Sequence, residues 1–373
     1  MPPAAAPLLV VLPTMPGRGG DGLGRMNVAG IPIERRIALA AERAGFGGIV
    51  SAAAGGAAAA PAPRRIVALG GHVLPQPAWL RALLAMPLEP ETLYVDGAVA
   101  VIHTQHPARV LDAASRCGGA EDLVGALDGA VAVERRSLDA SGRFPLEGPG
   151  DVPAAEAWLL RSLIKPSEGF MSRHVERRLS LAVTRRLAAT GVTPNAMTVV
   201  SVAIGLAGAP FFLSAAPVLQ VLGALLFLAH SVLDGCDGEL ARLKFQESRA
   251  GAILDFWGDN FVHVAVFACM AVGWSLDTGR AWPLVLGGVT IASAVATATL
   301  AASRFIGGGA VAAVSAAGRL AEALSHRDFI YLILLLSVFG QAHWFLAVAA
   351  VGTPAFLVFL LLLGGGRRHA RRP

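Results

Sequence analysis

The chain has 373 residues, 54% of them hydrophobic and 15% charged, with a mean hydropathy of +0.59 and a formal net charge of +5. That length allows roughly two or three domains, and the hydrophobicity, concentrated after Thr193, excludes an ordinary soluble protein. The widely spaced Cys117, Cys236 and Cys269 exclude a disulfide framework or a CxxC metal pair, and the basic charge, nearly all arginine with Lys165 and Lys244 the only lysines, points to cytoplasmic loops and anionic lipid, with no nucleic-acid motif to suggest otherwise.

The first residues, MPPAAAPLLVVLP, are short and lack a basic region, so they are not expected to be a signal peptide. Up to about residue 150, apolar runs at 8–12, 47–51, 66–69 and 93–102 alternate with helical patterns at 33–44, 78–86 and 108–115. This alternation predicts an α/β layer fold, Rossmann-like, with a mainly parallel sheet. The tract AAAGGAAAAPAP at 52–63 is expected to be a loop or linker, and Pro/Gly-rich residues 145–156 mark a domain boundary. The expected organisation is a 1–150 domain, a 151–193 linker with a juxtamembrane helix, and a membrane domain over 194–373.

Residues 169–191 form a basic amphipathic segment. Phe170, Val175, Leu179, Leu181, Val183 and Leu187 supply an apolar side, and Arg173, Arg177, Arg178, Arg185 and Arg186 the other. Such a helix is expected at a membrane interface with anionic lipid. Six apolar segments follow, at 195–214, 217–241, 251–274, 281–303, 328–342 and 344–364, predicting six transmembrane helices. Arg185 and Arg186, then Arg242, Lys244 and Arg249, then Arg304, Arg319 and Arg327, then Arg367, Arg368, Arg371 and Arg372 all fall on one side of such a bundle. The N-terminal domain, the tail and the end of the second span are therefore expected to face the cytoplasm of a plasma or inner membrane.

That second end carries the chemistry. Between Asp234 and Asp259 the chain reads DGCDGELARLKFQESRAGAILDFWGD. Asp234 and Asp237 are three apart, Asp255 and Asp259 four apart, so each pair shares a helix face, and a hairpin would bring the pairs together. An intramembrane carboxylate is costly and marks a functional site. Several in one place must be protonated, paired or bound to cations. Hard oxygen ligands favour Mg²⁺, Mn²⁺ or Ca²⁺ over zinc, and a two-metal arrangement suits displacement at phosphorus. Gly238 and Gly251 leave room for a ligand to approach the backbone, Ala241 keeps that face small, and Arg242 offers a planar fork for phosphate.

The pattern D-x2-D-G-x2-A-R-x8-G-x3-D-x3-D, met at Asp234, Asp237, Gly238, Ala241, Arg242, Gly251, Asp255 and Asp259, resembles the signature of the CDP-alcohol phosphotransferase family. The resemblance covers about residues 165–365. It implies transfer of a substituted phosphate from a CDP-linked donor to a small alcohol acceptor, with release of CMP and two divalent cations, Mg²⁺ or Mn²⁺, as cofactors. It also implies that Asp234, Asp237 and Asp255 hold the metals, that Asp259 joins them and deprotonates the acceptor hydroxyl, and that Asp234, Gly238, Ala241, Arg242 and Gly251 cradle the nucleotide. A homodimer is the assembly it implies.

Residues 165–180 and 190–198 resemble the di-myo-inositol phosphate phosphate synthase branch, which favours an inositol phosphate or related polyol phosphate as acceptor and leaves CDP-diacylglycerol and CDP-inositol open as donors. In the Thr193–Pro194–Asn195 turn, Asn195 is placed to reach the nucleotide, although a helix N-terminus uses the same residue types. The first domain resembles a nucleotidyltransferase that has lost its catalytic residues. Its Gly-rich stretch 17–24 has no lysine beside it, and Gly71 stands where a metal-binding aspartate is expected. Arg304 and Arg327 are candidate anchors for an acceptor phosphate, with positive-inside anchoring as the plainer reading. His230 and His263 lie one turn from Asp234 and Asp259, either as partners of the ligands or as packing residues, and Trp274, Trp282 and Trp344 fit interfacial belts. The competing readings of the whole are a carboxylate-relay transporter and a catalytically silent membrane scaffold.

Overall fold

Leucine, valine and isoleucine runs in the N-terminal half form strands because such side chains fill the faces of a covered sheet. The computed structural model describes residues 5–13, 23–52, 64–164, 176–306 and 329–369, and the chain divides into the units Met1–Arg161 and Ser162–Pro373. The stretches 14–22 and 165–175, with most of the Gly-rich loop and the start of the amphipathic segment, lie outside the described residues, as do Arg319 and Arg327.

The first unit runs β1 (Ala5–Leu12), β2 (Asn27–Val28), β3 (Ile31–Pro32), α1 (Ile33–Ala44), β4 (Gly48–Ser51), β5 (Arg64–Gly70), β6 (Val73–Pro75), α2 (Pro77–Ala85), β7 (Thr92–Asp96), β8 (Val99–Thr104), α3 (Pro107–Arg116), α4 (Asp122–Ala126), β9 (Ala132–Arg135), β10 (Arg143–Pro145) and α5 (Val152–Arg161). Its main sheet has the order β4-β1-β5-β8-β7-β9. β1 is parallel to β4 and β5, and β7 to β9, whereas β8 is antiparallel to both of its neighbours. The sheet is therefore mixed rather than simply parallel. The run 93–102, expected as one segment, is a hairpin that turns at Gly97, whose φ of +59° suits a residue without a Cβ. Alternate residues Leu8, Val10 and Leu12 meet Ile66, Ala68, Leu93 and Val95 in a core closed by Val110, Leu111 and Ala114 of α3. Helix α5 belongs to this unit, because Glu156 Oε1 accepts from the Ala29 backbone N–H at 2.8 Å.

The second unit is helical: α6 (Arg177–Ala188), α7 (Pro194–Gly208) with a tighter turn to Leu213, α8 (Pro217–Lys244), α9 (Arg249–Thr278), α10 (Trp282–Ile306), α11 (Phe329–Val338) and α12 (His343–His369). Among the described residues, five helical segments, beginning at Pro194, Pro217, Arg249, Trp282 and His343, are long and apolar enough to cross a membrane. The fifth expected span, 328–342, corresponds to α11, whose 10 residues rise ~15 Å against a hydrocarbon core of ~30 Å. Even so, Ile330, Ile333 and Ser337 of α11 are buried, and the helix packs on α8.

Three local devices set the geometry of the site. Phe245, left-handed at φ 56°, ends α8, and the Ser248 hydroxyl accepts from Gly251 N at 3.0 Å to start α9, so the two helices reverse within a short hairpin. Glycines let α7 approach α9: a Cβ on Gly205 would lie 2.5 Å from Val262 Cγ1, and one on Gly258 2.7 Å from Val202 Cγ2. At the other end of α8, Gln220 donates to Ser214 O and accepts from Ala342 N, both at 3.0 Å. Trp274 gathers Trp282 and Trp344 at centroid distances of 4.4 and 5.7 Å, at the end of α9 remote from the aspartates.

Candidate metal and phosphate site

The hairpin brings all four aspartates together. One carboxylate oxygen from each of Asp234, Asp237 and Asp255 lies within 4.8 Å of the others, and a second group with the same spread joins Asp234, Asp259 and a ring nitrogen of His230. Asp234 is common to both. Asp234 and Asp237 of α8 are buried, and Asp255 and Asp259 of α9 are half-buried. Carboxylates this close repel one another, and a divalent cation between them removes the repulsion. The oxygen-dominated donor set fits Mg²⁺ or Mn²⁺.

The surrounding residues hold the carboxylates from neighbouring helices. The Thr198 hydroxyl of α7 donates to Asp237 Oδ2. Thr193 caps α7 by accepting from Ala196 N at 3.3 Å, with Pro194 in the first turn. Asn195 then reaches α9, where a Cβ on Gly251 would lie 2.8 Å from its Oδ1. The turn is thus both a helix cap and a contact to the motif. On α8, a Cβ on Gly238 would lie 3.3 Å from Arg242 Nη1, so the missing side chain leaves room for the guanidinium, and Ala241 is half-buried beside it. His263 Nδ1 lies 2.7 Å from the Asp259 carbonyl oxygen. A carbonyl only accepts, so Nδ1 carries the proton. The His263 ring is also wedged against Phe227 and Phe329 at 5.2 and 5.7 Å.

Two features were not legible in the sequence. Glu239, beside Gly238, is fully buried and ties α6 to α8. Arg177 Nη1 donates to its Oε1 at 2.5 Å, Ser180 Oγ to the same oxygen at 2.6 Å and Thr184 Oγ1 to Oε2 at 2.6 Å. The buried face of α6 is therefore Ser180, Thr184 and Ala188, while Leu179 of the expected apolar side is exposed. A fifth acidic residue inside the apolar motif was the available signal. The second feature is His230, which meets Asp259 across the helix interface, Nε2 to Oδ1 at 3.4 Å; its spacing from Asp234 along α8 indicated only the intrahelical neighbour. Of the candidate acceptor anchors, Arg304 lies in the last turn of α10, with its side chain outside the described set, and Arg327 lies outside the described residues altogether.

Residues 191–358 match the family model described as CDP-alcohol phosphatidyltransferase. A bifunctional IPC transferase and DIPP synthase of Thermococcus kodakarensis is 36% identical over 135 residues, which cover 36% of this chain and 30% of that protein. A phosphatidylinositol phosphate synthase of Mycobacterium bovis is 31% identical over 118 residues, covering 31% of this chain and 52% of that protein. The crystal structure of Mycobacterium tuberculosis phosphatidylinositol phosphate synthase with CDP-DAG bound is similar over 47% of this chain and 89% of its own, at 22% identity and a TM-score of 0.34. The matched region spans between 28% and 33% of the length of the bifunctional relatives.

Proposed function

We propose, from the match of residues 191–358 to the CDP-alcohol phosphatidyltransferase family model, that the protein transfers a substituted phosphate from a CDP-linked donor to a polyol phosphate, releasing CMP. The observation that carries this reading is the joining of Asp234, Asp237, Asp255 and Asp259 into two overlapping ligand groups beside Arg242 and Asn195. Asp234, Asp237 and Asp255 would hold one divalent cation, with Asp234 and Asp259 beside a second. Cations bound there would supply charge neutralisation for the pyrophosphate and for the departing CMP. Arg242 binds the donor phosphate, and Asn195 with Gly251 borders the nucleotide. An acceptor hydroxyl attacks the phosphorus that bears the transferred group, a new O–P bond forms, the P–O bond to CMP breaks, and the hydroxyl proton passes to Asp259.

The membrane setting supports this placement. α8 and α9 have 28 and 30 residues, ~42 and ~45 Å long, so each overreaches a ~30 Å core. With Arg242, Lys244 and Arg249 at the hairpin, the overreach lies on the cytoplasmic side, within reach of a soluble nucleotide. A sixth crossing that includes α11 keeps Arg367 and Arg368 on that same side. In the first unit, Gly71 N donates to Leu12 O at 2.9 Å, and a Cβ at Gly71 would stand 3.0 Å from that oxygen. The position is tight for the metal-binding aspartate of a nucleotidyltransferase, which supports the reading of a silent remnant.

The names of the relatives favour inositol phosphate chemistry. Purified full-length protein with Mn²⁺ or Mg²⁺ and inositol 1-phosphate is expected to release CMP from CDP-inositol or from CDP-diacylglycerol, and to stop when the cation is chelated. Absence of CMP with both donors across a panel of polyol phosphates overturns the proposal. In a parallel arm, CTP and inositol 1-phosphate are expected to give no CDP-inositol; turnover there overturns the silent-remnant reading.

The Thr198 hydroxyl orients a ligand rather than touching substrate. Thr198→Val is expected to weaken cation affinity by ~10-fold or more, the scale on which partners of metal ligands act, with donor binding at saturating cation little changed. Isothermal titration with Mn²⁺ checks this, and unchanged affinity contradicts it.

A further inference from the structure

We propose that His230 is a nitrogen ligand to the second cation, completing a His230–Asp234–Asp259 group that favours Mn²⁺ over Mg²⁺. This rests on the metal-dependent reading above and goes beyond its all-carboxylate ligand set. His230 is fully buried at the depth of Phe227, one turn below Asp234. Neither ring nitrogen makes a hydrogen bond to any described residue. A buried polar group without a partner has given up its water with nothing in return, so a buried imidazole in this state calls for a partner.

The ring is held so that its polar edge faces the aspartates. Phe227 stacks beside it at 6.1 Å and 14° between planes. A Cβ at Gly205 would lie 3.0 Å from the ring Cγ, so the glycine on α7 makes the room that the imidazole fills. Nε2 lies 3.4 Å from Asp259 Oδ1. That separation is what two ligands of one ion show: donor atoms each ~2.1 Å from a metal, on adjacent vertices, stand roughly 3.0–3.5 Å apart. Oδ2 of Asp259 is then left to take the acceptor proton. His263 does not compete for the role, because its Nδ1 proton is directed at the Asp259 carbonyl.

A single imidazole among oxygens changes selectivity. Mg²⁺ prefers oxygen donors and its own water, whereas Mn²⁺, although the weakest binder of the first-row transition ions, accepts an imidazole nitrogen more readily than Mg²⁺ does. The reading is tested on full-length protein loaded with Mn²⁺ after growth on ¹⁵N-histidine, by electron spin echo envelope modulation. The expected spectrum shows a histidine nitrogen coupled to Mn²⁺ that changes with the isotope. His230→Gln is expected to lose this coupling and to lower the Mn²⁺:Mg²⁺ affinity ratio by ~10-fold or more, while His263→Gln keeps both. Mn²⁺ bound without any histidine coupling in the labelled wild type overturns this inference alone, and needs no variant to do so. Coupling that survives in His230→Gln also overturns it. No Mn²⁺ binding to the wild type at all overturns the metal-dependent reading with it.

Discussion

Asp259→Asn is expected to abolish CMP release while the protein still inserts, melts near the wild-type temperature and binds a divalent cation. Asparagine has the same shape and keeps an oxygen towards His230, so the change removes charge and basicity rather than volume. A positioned general base contributes about 10²–10⁴-fold, and losing an anionic ligand also loosens the second cation, whose charge would offset that of the departing CMP, an effect worth about 10²–10³-fold where single stabilising groups have been removed. The expected fall in kcat is therefore 10³-fold or greater, with donor affinity close to that of wild type because Arg242, Asn195 and Asp234 are untouched. Asp255→Asn is expected to be equally inactive but to lose cation affinity as well, because Asp255 belongs to the group with Asp234 and Asp237. Steady-state CMP release and Mn²⁺ titration on both variants separate the roles. Normal turnover in either removes the assignment, and substrate flux into liposomes without CMP would return the carboxylate-relay transporter.

Arg177→Ala is expected to destabilise the protein more than Glu239→Gln. Glu239 is fully buried, and Arg177 is 17% exposed. Removing the arginine strands a buried carboxylate on two hydroxyls, a change that costs about 3–5 kcal/mol when a buried pair is broken from one side. Removing the charge of the glutamate instead leaves an arginine that can turn to water and an amide that still accepts, a loss of about 1–3 kcal/mol. The double variant is expected to fall closer to wild type than Arg177→Ala alone, because neither partner is then left charged in the protein interior. Thermal unfolding of the three variants in detergent reads this order, with limited proteolysis near residue 177 reporting release of α6. Additive losses in the double variant would show that the pair does not couple α6 to α8. Since Gly235 and Gly238 flank the clamp along α8, with a Cβ at Gly235 meeting Arg177 Nη1 at 3.3 Å, Arg177→Ala is also expected to lower activity without touching the aspartates.

The amphipathic segment shows where pattern reading stopped short. Hydropathy placed Leu179, Leu181, Val183 and Leu187 on an apolar side expected at the membrane interface, and gave no sign of which residues meet protein. The structure packs Val183 and Leu187 partly, beside Cys236 and Leu240, but centres the contact on Ser180 and Thr184, which a hydrophobicity scale counts as solvent-facing. Their hydroxyls are buried because Glu239 accepts from them, and that carboxylate lies 55 or more residues away in sequence. The 92–104 hairpin was missed for a different reason: a continuous apolar run hides its turn unless the Asp96–Gly97 pair is given its full weight.

What the sequence determined by itself was local and periodic. The three- and four-residue spacings put Asp234 with Asp237, and Asp255 with Asp259, on single helix faces. Thr193 marked a helix start, and the apolar runs marked the segments that can cross a bilayer. These follow from backbone geometry that every helix shares. Only the tertiary structure decided which faces meet. Gly205 and Gly258 let α7 close onto α9, Thr198 thereby reaches Asp237, and His230 on α8 comes to face Asp259 on α9. Such contacts join residues separated by tens of positions, and helix packing fixes them through the fit of side chains against missing ones, for which spacing along the chain carries no signal.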